Sequence, residues 1–255
     1  MEKPIDNIEE INSSERINNM EIFCIENRIE LQKSAGRAVS ELLQQFKGSP
    51  TLLLLSGGSA FEILDDIDMD NFNPNLTVTM LDERFTRDKE FSNFGQLAET
   101  MFYKVATVRG CNFIDTTPKA DETLVESADH FDKLLRGWIS ANPSGKIIAV
   151  MGMGADGHTA GIMPYPEDDS FFKDKFQSDN FVVGYDAGEK SDFSERITTT
   201  STFIKDKLDG SFCYFRGATK SKAFNNMLSD GKLSAVPARI FKEIKNVKIF
   251  TDIKT

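Results

Sequence analysis

The first clear pattern in the chain is a helical one. Ala35, Ala38, Val39, Leu42, Leu43 and Phe46 recur at three- and four-residue spacings, the stripe of an amphipathic helix. Gly48, Ser49 and Pro50 break it. Thr51 to Leu55 follows as an unbroken apolar run, as expected of a strand covered on both faces, and a short helical stretch runs on through Leu64. Leu76 to Leu81 predicts a second strand and Phe94 to Lys104 a helix. Leu124, Val125, Ala128, Phe131, Leu135, Trp138 and Ile139 mark a long helix with one apolar face, and Lys146 to Met151 a third buried strand. Further strands are predicted at Phe181 to Tyr185, Ile197 to Thr200, Phe212 to Phe215 and Val247 to Phe250, with a helix over Lys220 to Leu228. No internal repeat or low-complexity tract interrupts the series.

Strands alternating with helices predict an α/β fold, a doubly wound and mainly parallel sheet with helices on both faces. Residues 1–20 read as a polar leader and residues 21–255 as one α/β catalytic domain, a size that a single core can fill. In open sheets of this kind the ligand sits outside the carboxyl ends of the strands. The residues just after each strand are therefore the candidates for chemistry.

Composition narrows the partners. A net charge of −10 argues against nucleic acid or an anionic membrane surface, although local charge still decides whether a small phosphate ester binds. Met1 to Glu30 lacks the apolar core of a secretory signal, and no run approaches the length of a membrane span. Cys24, Cys111 and Cys213 are odd in number and far apart, which fits free thiols of a reducing cytoplasm and offers no metal or disulfide spacing.

The first strand ends in Ser56-Gly57-Gly58-Ser59. Such a turn either simply reverses the chain or presents backbone N–H groups and hydroxyls to an anion. It matches neither a P-loop nor a dinucleotide fingerprint. The second strand ends in Asp82-Glu83-Arg84, which reads either as a surface charge cluster or as an arginine able to fork onto a phosphate or carboxylate, with Asp82 or Glu83 orienting it or moving a proton. Asp88, Ser92 and Asn93 continue that loop and read as helix caps. The third strand ends in Gly152-Met153-Gly154-Ala155-Asp156-Gly157-His158-Thr159-Ala160. Imidazole titrates near neutrality and suits general base work, and a carboxylate two residues away can fix its tautomer. His130, on the long amphipathic helix, reads as a surface histidine. With two histidines and scattered cysteines a zinc site is not expected. Gly-x-Ser-x-Gly is missing, so a base acting on water is preferred to a covalent nucleophile.

Taken in order and spacing, Leu55-Ser56-Gly57-Gly58-Ser59, Asp82-Glu83-Arg84 with Asp88-x3-Ser92-Asn93, and Gly152 to Ala160 resemble the 6-phosphogluconolactonase family. Arg196-Ile197-Thr198 and Gly217-x2-Lys220 resemble its downstream segments, and the likeness runs from about residue 25 to the C-terminus. The resemblance implies a phosphosugar isomerase-like, modified Rossmann fold. It implies hydrolysis of 6-phosphoglucono-1,5-lactone to 6-phosphogluconate in the oxidative pentose phosphate pathway, with no metal and no cofactor. It further implies His158 as the base acting on water, Asp156 as its holder, and Arg84 positioning substrate or balancing negative charge. Ser56, Gly57, Gly58, Ser59, Arg196 and Lys220 would form the phosphate end, with Asp82, Glu83, Gly154 and Gly157 in support. A cytoplasmic monomer or small homo-oligomer is the expected setting.

The sequence departs from the family at Ala60-Phe61, at Leu81 where a glycine is common, and at Gly161-Ile162-Met163-Pro164. None of these removes a proposed catalytic group. A glucosamine-6-phosphate deaminase or isomerase would carry a glutamate downstream of the histidine and Asp-Glu-Tyr in place of Asp82-Glu83-Arg84. A non-enzymatic sugar-phosphate sensor would be expected to carry a DNA-binding module, which the short acidic leader does not supply.

Overall fold

The structure is a computed structural model that describes residues 14–254. Residues 1–13 of the expected leader lie outside the described residues. The remainder of that leader enters the fold, because Ser14–Ile17 is the edge strand β1 and Met20–Cys24 is β2.

The elements then follow as α1 (Arg28–Gln45), β3 (Thr51–Leu55), β4 (Leu76–Met80), β5 (Asp82–Arg84), α2 (Asn93–Glu99), α3 (Met101–Val108), β6 (Asn112–Phe113), α4 (Leu124–Ala141) and β7 (Lys146–Met151). After these come α5 (Asp169–Phe176), β8 (Val182–Asp186), β9 (Glu195–Thr199), α6 (Ser201–Lys207), β10 (Gly210–Tyr214), α7 (Ser221–Leu228) and β11 (Val247–Thr251). Local signals start the helices. Asn27 accepts hydrogen bonds from the N–H groups of Ile29 and Glu30 at the head of α1, and Thr123 with Glu126 forms a reciprocal capping box on α4. The single helix expected over Phe94 to Lys104 is divided at Thr100, which ends α2 and caps α3 through its hydroxyl on the Tyr103 N–H.

The main sheet runs β1-β2-β11-β10-β7-β3-β4-β6 and is parallel throughout except for the β1–β2 edge. Side chains alternate between faces along each strand. Leu52, Leu54, Ile147 and Ala149 therefore pack with α4, α6 and α7 residues such as Phe131, Phe203 and Phe224. Leu53, Leu55, Ile148 and Val150 pack on the opposite face with Leu31, Val39 and Phe102. Helices cover both faces, and the doubly wound α/β fold expected from the sequence is present. No helix among the described residues is long and apolar enough to cross a membrane.

Two of the predicted strands do not join this sheet. β8 and β9 pair antiparallel with each other and with the short β5, giving a second sheet in the order β5-β9-β8. Leu81 joins the two sheets. Its N–H donates to Leu55 O at 2.8 Å, and its carbonyl accepts from the Thr199 N–H at 2.9 Å. A leucine suits this joint because the position is fully buried.

Winding leaves β3 in one direction toward β4 and β6, and in the other toward β7 and β10. The order thus reverses between β3 and β7, where adjacent crossovers diverge and leave a crevice at the strand ends.

Candidate active site

The crevice is real and holds most of the predicted residues. A cleft of about 490 Å³ lies beyond the carboxyl ends of β3 and β7, with β5 and β9 contributing one wall. Ser56 to Ser59, Asp82, Arg84, Gly154, Asp156, His158, Arg196 and Lys220 all line it. Glu83 and Gly157 do not.

His158 is held on both sides by its own loop. Its Nδ1 lies 2.6 Å from Asp156 Oδ1, and its peptide N–H donates to the same oxygen at 3.1 Å. With the carboxylate accepting from Nδ1, Nε2 is the nitrogen whose lone pair is available whenever the ring is neutral. Burial raises the Asp156 pKa, but the hydrogen bonds and charge of His158 outweigh it and hold the carboxyl below its ordinary range. The loop is closed by Gly154 N–H donating to His158 O at 2.9 Å and Gly157 N–H to Gly154 O at 3.1 Å. Gly157 takes φ +89°, a region that side chains disfavour. At Gly154 a Cβ would overlap the imidazole and crowd Asp156 Oδ1. Gly154 is therefore required by the packing of the histidine itself, whereas a side chain at Gly157 would meet Val236.

The charged end of β5 separates into three different roles. Glu83 is fully buried and turned away from the cleft. It accepts the peptide N–H groups of Arg84, Asn93 and Phe94 at 2.8, 2.6 and 2.9 Å, and the Thr116 hydroxyl at 3.0 Å, so it caps α2. Burial pushes its carboxyl up, and the N–H groups pull it back in part. Asp82 binds Arg196 through a 2.5 Å contact to Nη2 and accepts from the Asn93 side chain. Neither carboxylate is hydrogen-bonded to the Arg84 guanidinium, so the orienting role open to them in the sequence is not taken. Ser92 caps α2 as expected, its hydroxyl accepting from the Gly95 N–H at 3.0 Å.

Arg84 and Arg196 are register partners across β5 and β9. Their Nε atoms are both buried without a partner among the described residues. Burial, and then the charge of Arg196, lower the proton affinity of Arg84. The Ser56 hydroxyl is likewise buried and unpaired, on the first turn after β3. Lys220 follows Gly217 at the end of β10 and forms no ion pair among the described residues, and burial lowers its pKa. Two guanidiniums, an ammonium and a free hydroxyl thus converge on one cleft, an arrangement suited to an anion.

Sequence reasoning missed Asn93 as a cleft residue and missed the tip of the β8–β9 hairpin, from which Lys190 and Phe193 reach the cleft. Asn93 belongs to the Asp88-x3-Ser92-Asn93 segment and reads there as a helix cap, whereas Lys190 and Phe193 carry no motif and are placed by tertiary structure alone. His130 lies outside the cleft, its Nδ1 3.0 Å from Glu122 Oε1, as a surface histidine would. No group of three or more His, Cys, Asp or Glu side chains is placed to hold a metal ion among the described residues.

Comparison with known proteins agrees with this architecture. No curated protein matches the chain. Among solved structures, a 6-phosphogluconolactonase from Plasmodium vivax aligns with a TM-score of 0.77 at 16% identity, covering 95% of this chain and 94% of its own. One from Shewanella baltica aligns with a TM-score of 0.72 at 17% identity, covering 94% and 98%. One from Trypanosoma brucei aligns at 0.71 and 19% identity, covering 90% and 95%. These likenesses show a shared fold. The family model for glucosamine-6-phosphate isomerases/6-phosphogluconolactonase matches residues 26–250, nearly the whole described chain, and the protein belongs to that family.

Proposed function

We propose that the chain hydrolyses 6-phosphoglucono-1,5-lactone to 6-phosphogluconate, with His158 as the base. The observation that carries this reading is the Asp156–His158 pair, joined at 2.6 Å, on a cleft that also holds Lys220 and the unpaired Ser56 hydroxyl. The substrate phosphate takes the end formed by Ser56 to Ser59, Lys220 and Arg196, which sets the lactone carbonyl near His158.

In the proposed reaction His158 Nε2 removes a proton from water as the water oxygen attacks the carbonyl carbon. Asp156 stabilises the imidazolium and keeps its ring oriented. Negative charge then grows on the carbonyl oxygen, and Arg84 offsets it. Collapse of the tetrahedral intermediate breaks the bond to the ring oxygen, which takes the proton from His158 and becomes a hydroxyl. The new carboxyl group loses its proton to solvent. No metal takes part in these steps. The aminosugar alternative is disfavoured by Arg84 at its position and by the absence of a glutamate in Thr159 to Pro164.

The test is a coupled assay on freshly generated lactone, corrected for spontaneous hydrolysis, with glucosamine 6-phosphate as the control substrate. The His158→Ala variant is expected to lose ~10²–10⁴-fold in turnover while still binding 6-phosphogluconate. Unchanged turnover in that variant, or activity on the aminosugar alone, overturns the reading.

A further inference from the structure

We infer that Phe193, at the tip of the β8–β9 hairpin, is a positioning residue that holds the Arg84 guanidinium in place beside the cleft.

Arg84 needs such a holder. It stands opposite Arg196 in the β5–β9 register, and like charges repel. Asp82 is taken by Arg196, Glu83 faces the helix it caps, and Asp192, whose charge reaches Arg84 from the hairpin, forms no ion pair with it. Arg84 forms no ion pair among the described residues, and its Nε is buried without a partner. A long, flexible side chain in that setting samples several rotamers unless something else restrains it.

Two contacts supply the restraint. Arg84 Nη1 donates to Phe91 O at 3.0 Å, and the guanidinium carbon lies 4.4 Å from the centroid of the Phe193 ring. Phe193 is itself packed on Phe91, with ring centroids 5.4 Å apart. The cation thus sits on an aromatic face, where the ring quadrupole attracts it.

The hairpin that carries Phe193 is tied down on both sides of the cleft. Ala187 N–H donates to Ser194 O at 2.7 Å and closes its neck. Lys190 Nζ lies 2.7 Å from Glu167 Oε1 and 4.7 Å from the Tyr165 ring, both on the segment that follows the His158 loop. The tip therefore bridges from the His158 wall to the Arg84 wall, and Phe193 is its foot on the second wall.

The inference draws on the lactonase reading only for its kinetic arm. A second arm observes Arg84 directly through the ¹⁵N-labelled Nε–H resonance, assigned by its disappearance in Arg84→Lys. In the intact protein that resonance is expected to be shifted from the free-arginine position and slow to exchange with water. Phe193→Ala should collapse it to the free position, and Phe193→Trp should preserve a shifted signal. In the kinetic arm Phe193→Ala should lower kcat/KM about 5- to 30-fold, the Phe193→Trp variant should recover most of that loss, and Phe193→Ala added to Arg84→Ala should cost less than about twofold more. An unchanged Arg84 resonance in Phe193→Ala overturns the inference, as does an equal loss from Phe193→Ala whether or not Arg84 is present. A protein with no lactonase activity but a collapsed Arg84 resonance would sink the proposed reaction and leave the positioning role standing.

Discussion

Asp156 Oδ1 receives both the side-chain Nδ1 and the peptide N–H of His158, at 2.6 and 3.1 Å. One oxygen atom thereby fixes the ring and the backbone that carries it. Asp156→Asn presents an amide in place of that doubly accepting carboxylate and removes the charge that stabilises an imidazolium. Turnover is expected to fall ~10²–10⁴-fold with little change in the affinity for 6-phosphogluconate, as measured by the coupled assay alongside calorimetry.

The same pair sets an acid dependence. The folded-state pKa of Asp156 is depressed, so its contribution to stability is present above the ordinary carboxylate range and disappears as pH falls through the lower folded value. His158→Ala removes the side-chain hydrogen bond and the charge that contribute most to lowering it, and keeps the peptide N–H contact. Urea unfolding measured between about pH 5 and pH 2 should show the wild-type protein keeping this contribution to lower pH than the variant.

Gly154→Ala tests the packing of the loop. The added methyl overlaps the imidazole, and the ring must swing off Asp156 or the loop must open. A loss of ~10²-fold or more in kcat is expected, with the two-proton signature of the His158 ring altered in NMR spectra and the rest of the fold retained. Full activity in this variant would show that the ring does not need its present orientation.

At the proposed phosphate end, burial lowers the pKa of Lys220. Its charge is therefore lost at a lower pH than that of an exposed lysine, and affinity for the phosphate group should weaken as pH rises through that value. The stable product 6-phosphogluconate is the ligand for this measurement, since the lactone does not survive alkaline solution. Lys220→Ala should weaken binding at neutral pH and flatten its alkaline decline.

Glu83 predicts a stability effect in place of a catalytic one. Glu83→Ala leaves three peptide N–H groups and the hydroxyls of Ser92 and Thr116 without their buried acceptor. Unfolding free energy should drop by about 3 kcal/mol or more, read by urea denaturation.

The buried strands were legible because Leu52 to Leu55 and Ile147 to Met151 are short runs apolar on both faces, as a covered parallel sheet requires. The strand-end rule then led to Ser56, Arg84 and His158, all of which line one cleft. The short strand Asp82–Arg84 was not legible, since three charged residues carry no strand pattern and their pairing is decided by β9, more than a hundred residues away. The division of Asp82, Glu83 and Arg84 into three tasks was hidden for the same reason. Each task depends on a partner that tertiary structure supplies: Arg196 for Asp82, the head of α2 for Glu83, and Phe193 for Arg84. Phe193 itself has no chemical signature in the sequence.

The β8–β9 hairpin has a further consequence for how this architecture diversifies. The imidazole and its carboxylate belong to a turn, Gly154 to His158, locked by its own backbone, whereas the tip from Gly188 to Phe193 is a surface appendage anchored by Lys190 and Phe193. Insertions, deletions and exchanges between Gly188 and Asp192 can redraw the mouth of the cleft while the Asp156–His158 turn and the Phe193–Arg84 contact stay in place. Selection for a new phosphorylated substrate would therefore leave its mark first on this hairpin, and chimaeras that trade only residues 188–192 between relatives, with Phe193 kept, should transfer preference while conserving the proposed hydrolytic step.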